Sequence, residues 1–214
     1  SFGLGGTNGH VVVQAWPGPL PAAPAPVVGD GVRAGPGVVF VFPGQGAQEP
    51  GMARELYARF PGFRAAIDRS AAIVGDRLGA PLQDVIFASS RAAMVRTELA
   101  QPAMFAVEVA LAELWQALGL RPAAVIGHSL GEYAAACVAG ALSLADGLEL
   151  VLARGRRMAA LPEAGTMAAI LAPLAEVLPL VEQAPDEVAI AAINGPANTV
   201  IAGRSQRVAT IVAS

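Results

Sequence analysis

The chain has little cysteine, little histidine and little charge. Cys137 is the single cysteine in 214 residues. No disulfide can form within the chain, and a reducing compartment, the cytoplasm, is expected. Two histidines, His10 and His128, restrict the choice of a general base, and no metal site is expected. Charged residues make up 14% and the net charge is −3, which argues against nucleic acid and anionic membrane as partners. No uninterrupted apolar run is long enough to span a bilayer, and no basic segment followed by an apolar one opens the sequence. Apolar residues, by contrast, are abundant. Hydrophobic side chains reach 54%, so the chain is globular and alanine-rich rather than disordered. Its length suits one sizeable core and part of another. It opens on Ser1 and ends on Ser214 within a predicted helix, so a fragment of something longer is expected.

The order of elements suggests an α/β protein. Residues 1–16 read as a glycine-rich turn and a short β-branched run. Residues 17–37 hold six prolines and five glycines, a composition that suits a linker and neither a helix nor a central strand. A domain is expected from 38. "VVFVFPGQGAQ" (38–48) reads as a buried strand running into a Gly/Pro loop. Helices are expected over 51–60, 62–78 and 97–120, with Pro102 early in the last. A strand is expected over 123–127 and a helix from about Leu130. Ser143 with Asp146 is a capping-box-like start to a helix over 144–161. This alternation predicts a parallel sheet with helices on both faces. After Gly165 the rhythm becomes strand, helix, strand, strand, helix, a ferredoxin-like order without its last strand. The boundary between the two units is placed at 163/164.

Within "VIGHSLGEYAAACVAG" (125–140), Ser129 stands between Gly127 and Gly131. A strand, then G-H-S-L-G, then a helix is the setting of a nucleophile elbow, where a sharp turn exposes the serine hydroxyl. The backbone N–H groups from Leu130 onward can stabilise an oxyanion. The loop "FPGQGAQ" (42–48) ends a strand of the same expected sheet, so it should lie at the same edge. There the Gln45 N–H can be a second oxyanion donor; read alone, the loop is a βα turn without a role. Arg154 lies among Leu150, Val151 and Met158, on a stripe shared with Leu148 and Leu161, whereas Arg156 and Arg157 fall at polar positions. A guanidinium on the core side needs a partner. That partner is either a local Asp or Glu, or a substrate carboxylate bound bidentately.

The motifs "FVFPGQGAQ", "AQPAMFAVEVAL", "GHSLGEYAAACVAGALSL", "ARGRRM", "GTMAAI" and "INGPANTVIAG" stand in order over 38–214. In them the chain resembles the malonyl-CoA:acyl-carrier-protein transacylase family, in the form of the acyltransferase domain of type I polyketide synthases. The resemblance implies an α/β-hydrolase-like core with an inserted ferredoxin-like subdomain. It implies that Ser129 is acylated, with His128 as its motif neighbour, that Gln45 and Leu130 supply oxyanion-hole amides, and that Arg154 pairs with the free carboxylate of the malonyl group. No bound cofactor is implied: acyl-CoA is the donor and the phosphopantetheine of an acyl carrier protein the acceptor. Residues 1–16 resemble the end of a ketosynthase domain, which makes His10 structural and an adjacent ketosynthase a partner. The linker that follows is shorter than the small folded one usual in such synthases.

His128 neighbours Ser129 in sequence, and side chains adjacent on a tight turn point apart, so it is poorly placed as the base. The resemblance puts the catalytic histidine beyond 214, and the fragment alone is expected to be inactive. What remains leans toward malonyl over methylmalonyl. Two other readings stay open on the residues: a serine esterase or thioesterase of the α/β-hydrolase type, and a non-catalytic scaffold that docks a carrier protein.

Overall fold

A computed structural model describes residues 37–88, 96–161 and 165–213. The expected ketosynthase remnant, His10 and all but the last residue of the linker lie outside the described residues. The first unit runs β1 (Val39–Phe42), α1 (Arg54–Arg59), α2 (Pro61–Val74), α3 (Leu82–Ile86), α4 (Thr97–Ala117), β2 (Ala124–Gly127), α5 (Gly131–Val138) and α6 (Leu144–Ala159). The second runs β3 (Gly165–Ile170), α7 (Leu174–Glu182), β4 (Val188–Gly195), β5 (Asn198–Arg204) and α8 (Ser205–Val212).

β1 and β2 pair in parallel, with Phe42 opposite Gly127. The loops that follow them therefore leave the sheet at one edge. Period-2 alternation sorts β1: Phe40 and Phe42 turn to the core, while Val39 and Val41 are exposed. Helices were expected on both faces. Among the described residues the core lies against the Phe40/Phe42 face and the Val39/Val41 face is open to solvent.

That core is built on α4. Its residues from Ala100 to Ala110 are all buried, because alanines let neighbours close in from several sides. Phe63 and Ile67 of α2, and Leu148, Val151 and Leu152 of α6, join Phe105 in one buried cluster. Fully burying each of these large side chains contributes about 1.5–3 kcal/mol. Two expected helices stop early. α2 ends at Val74, where Gly75 adopts φ +59°, and α4 ends at Ala117 rather than at 120. Residues just past a helix end readily take the left-handed conformation that glycine permits. α6 begins as its capping signal predicts: the Asp146 N–H donates to Ser143 Oγ at 3.0 Å.

In the second unit the three strands are antiparallel in the order β3-β5-β4. This is the arrangement of the first three strands of a ferredoxin-like sheet. A separate small core of Val177, Val181, Val188, Ile201, Val208 and Ile211 joins it to α7 and α8.

Candidate active site

The elbow is built from close contacts. A Cβ on Gly127 would lie 2.3 Å from the Glu132 nitrogen, and one on Gly131 would lie 2.2 Å from the Phe42 oxygen. Only glycine at both positions lets α5 fold back over β2 and press on the end of β1. Between them Ser129 takes φ +54°, the left-handed region that costs a non-glycine residue about 1–3 kcal/mol. A strained turn of this kind between strand and helix is the setting in which a serine nucleophile would be presented, and Ser129 is half-buried there.

The β1 loop closes on the elbow. The His128 N–H donates to the Phe42 carbonyl at 3.0 Å. A Cβ on Gly44 would meet His128 Nδ1 at 3.0 Å and Ser129 Cβ at 3.4 Å, so loop and elbow touch. The Gly46 N–H donates to Gln48 Oε1 at 2.7 Å, which holds the loop in its turn. Leu130 anchors the first turn of α5 with a fully buried side chain. The parallel pairing thus sets Gln45, His128, Ser129 and Leu130 at one sheet edge.

Arg154 completes the group. Its Nη2 donates to Ser129 Oγ at 3.1 Å and its Nη1 to Gln101 Oε1 at 2.8 Å. Its position on α6 needs a correction. The buried line of that helix is Gly147, Leu148, Val151, Leu152 and Gly155, whereas Leu150, Met158 and Leu161 are exposed. The spacing of the buried positions is the helical one of three and four residues, and Leu150 and Met158 fall off it. Arg154 therefore flanks the buried stripe rather than lying within it, and it is half-buried. Neither of these side-chain bonds goes to an aspartate or glutamate, so among the described residues the local ion pair considered for it is not formed. Arg156 and Arg157 are exposed, as expected.

Two residues of this network, Gln101 and Thr97, carried no assignment from sequence. Gln101, fully buried on α4, donates to Thr97 Oγ1 at 2.7 Å and to Met158 Sδ at 3.2 Å. Thr97 in turn donates to Gln45 Oε1 at 2.9 Å. The available signal was Gln101 itself, a polar residue in an apolar run, four residues after a threonine and so on the same helix face. The chain's one thiol is a poor candidate for a nucleophile. Burial, with Asp146 adding to it, pushes the Cys137 thiol up to about 11, and the thiolate is the reactive form.

Residues 39–214 match the acyl transferase domain family, and the chain belongs to it. The chain is 51% identical over 171 residues to a phenolphthiocerol synthesis type I polyketide synthase of Mycobacterium marinum, covering 80% of this chain and 8% of that protein. The acyltransferase domain from the second module of the salinomycin polyketide synthase superposes with TM-score 0.77 at 46% identity, over 82% of this chain and 41% of that one. The MCAT of Streptococcus pneumoniae gives 0.73 at 37%, over 82% and 57%. The chain thus spans less than a tenth of that curated relative and about two-fifths of the salinomycin domain. These likenesses bear out the α/β fold and favour the acyltransferase reading over the esterase and scaffold readings.

Proposed function

We propose that this chain is the nucleophile-bearing part of an acyltransferase that moves a malonyl-type group from CoA to the phosphopantetheine thiol of an acyl carrier protein. In this reading Ser129 Oγ attacks the thioester carbonyl and its proton passes to a base. The carbonyl electrons collect on oxygen, facing the Gln45 and Leu130 N–H groups. The C–S bond then breaks, CoA leaves as a thiol, and an ester on Ser129 remains. The carrier thiol reverses the sequence. Acyl-CoA and phosphopantetheine are substrates, so no resident cofactor is called for. The base is taken to be a histidine outside the described residues, as the resemblance implies.

The observation that carries the reading is the 3.1 Å contact between Arg154 and Ser129 Oγ. The carboxylate of a malonyl group is two bonds from the carbonyl under attack. A guanidinium beside the attacking oxygen is within its reach, while a neutral ester would make no use of it. Whether malonyl or methylmalonyl is preferred turns on one methyl, worth about 1–3 kcal/mol in an apolar site. The M. marinum relative is a far longer polyketide synthase, in keeping with a carrier protein and a ketosynthase as neighbouring partners. Among the described residues no helix is long and apolar enough to cross a membrane, and a cytoplasmic location fits this reading.

The test is acylation. In protein that also carries the base, malonyl-CoA should add one malonyl group, located by intact and peptide mass at Ser129, and Ser129→Ala should remove it; residues 1–214 alone should acylate far more slowly. Labelling that survives the substitution would end the assignment.

A further inference from the structure

Five side chains form one continuous strut behind the reacting serine. Ser129 Oγ accepts from Arg154 Nη2 at 3.1 Å, and Arg154 Nη1 donates to Gln101 Oε1 at 2.8 Å. Gln101 Nε2 donates to Thr97 Oγ1 at 2.7 Å, and the Thr97 hydroxyl donates to Gln45 Oε1 at 2.9 Å. The directions are mutually fixed. Arg154 has no acceptor, so it compels Gln101 to present its oxygen. The amide nitrogen then faces Thr97, whose hydroxyl accepts that bond and is left to donate toward Gln45. Each bond polarises the next away from the cation.

The packing holds the strut at fixed length. Gly155, next to Arg154, faces the first turn of α4: a Cβ there would lie 3.1 Å from the Thr97 carbonyl oxygen and 3.0 Å from Glu98 Cα. α6 and the start of α4 therefore meet backbone to backbone where Thr97 and Arg154 are joined. Gln101 is fully buried, so it cannot exchange these bonds for water without cost.

We infer that Thr97 is a positioning residue that locks the Arg154 guanidinium to the Gln45 loop, so that carboxylate recognition and oxyanion-loop placement act as one unit. The inference rests on the acyltransferase reading and adds a residue to it. Gln101 holds the Nη1 edge of Arg154 from behind, leaving Nη2 for the reacting side. Thr97 carries that restraint across to the loop whose backbone faces the carbonyl oxygen. A signature follows that simple packing would not give. The Gln45 side chain accepts no bond from Arg154, yet removing it should weaken the preference for an acyl group bearing a carboxylate.

The test compares malonyl-CoA with acetyl-CoA, by calorimetric titration of the chain and by the rate of Ser129 acylation in protein that also carries the base, for the unaltered sequence and four variants. Thr97→Val, which keeps the shape and removes the hydroxyl, should lower the malonyl-to-acetyl preference roughly three- to tenfold, the worth of one hydrogen bond. Thr97→Ser should restore it. Gln45→Ala should lower it by a similar factor, and the double Thr97→Val/Gln45→Ala variant should fall no further than either alone, because all three break the same strut. An unchanged preference in both single variants, or additive losses in the double variant, would overturn the coupling. Equal losses for both thioesters would reduce Thr97 to a packing role. If the unaltered protein shows no preference for malonyl, the reading of Arg154 fails and the coupling fails with it. If the preference is present and indifferent to Thr97 and Gln45, only the coupling fails.

Discussion

Arg154 Nη2 lies 3.1 Å from Ser129 Oγ, although the two residues are 25 apart in sequence and stand on different elements. The strand-to-helix turn brings the serine up from below, and α6 lays the guanidinium across it. On the proposed function, a cation here would select by charge. In protein that also carries the base, Arg154→Ala should reduce acylation by malonyl-CoA roughly 30- to 1,000-fold, the range expected when one partner of a desolvated charge pair is lost. Acylation by acetyl-CoA should change far less. Arg154→Lys should fall between, because an ammonium keeps the charge and loses the two-pronged geometry. Equal losses for malonyl and acetyl would mean that Arg154 is structural.

Gly131 is the tightest point of the elbow, with backbone atoms of Phe42 and Pro43 where a Cβ would go. Backbone cannot swing aside as a flexible side chain can. Gly131→Ala should therefore push α5 away from β1 and destabilise the fold by about 1–3 kcal/mol or more. The melting temperature should drop, and in protein that also carries the base, labelling of Ser129 by a fluorophosphonate should slow while the protein is still folded. A variant that melts and labels like the parent would show that the helix does not lean on β1 in this way.

Local chemistry wrote the elbow into the sequence. G-H-S-L-G after an apolar run specifies a turn, a strand before it and a helix after it, and the structure has all three. The capping pair Ser143/Asp146 was legible for the same reason, since donor and acceptor are three residues apart. The Gln101–Thr97–Gln45 strut was not legible. Its members are close only after α4 has packed on α6 and the β1 loop has folded over, and no short spacing encodes that. The misplaced stripe on α6 has a related cause. Periodicity grouped Leu150 and Met158 with Val151, but Gly147 and Gly155 define the buried line, because neighbouring helices seek small residues for close approach. A hydropathy pattern gives glycine little weight.

Ser143 offers a control for stability without chemistry. Its Oγ accepts from the Asp146 N–H at 3.0 Å and donates to Asp146 Oδ2 at 2.7 Å, satisfying a donor that the first turn of α6 would otherwise leave open. Ser143→Ala should cost about 0.5–2 kcal/mol in denaturant unfolding. The same substitution should leave the malonyl-to-acetyl preference unaltered, because Arg154 sits nearly three turns further along α6. A changed preference would mean that the start of α6 steers Arg154.

Glu108 makes stability depend on pH with an unusual sign. It lies on α4, 5% exposed, and neither carboxyl oxygen has a hydrogen-bond partner among the described residues. Burial without compensation disfavours the charged form and pushes the carboxyl up to about 8, from 4.5 in its ordinary state. Between those two values the folded protein keeps a proton that the unfolded chain has lost. Unfolding therefore releases a proton, and stability falls as pH rises through that window. Below about 4.5 both states are protonated and the effect vanishes; above about 8 the penalty is complete, on the order of a few kcal/mol. Most carboxylates act in the opposite direction, since their folded-state values are usually lowered. Glu108→Gln removes the titration while keeping nearly the same shape. Urea unfolding at pH 5, 6.5 and 8 should show the unaltered chain losing stability across the series relative to the variant, with the two nearest to each other at pH 5. Curves that stay parallel from pH 5 to pH 8 would show that Glu108 ionises alike in the folded and unfolded chain, and that its carboxyl meets water or a cation in solution.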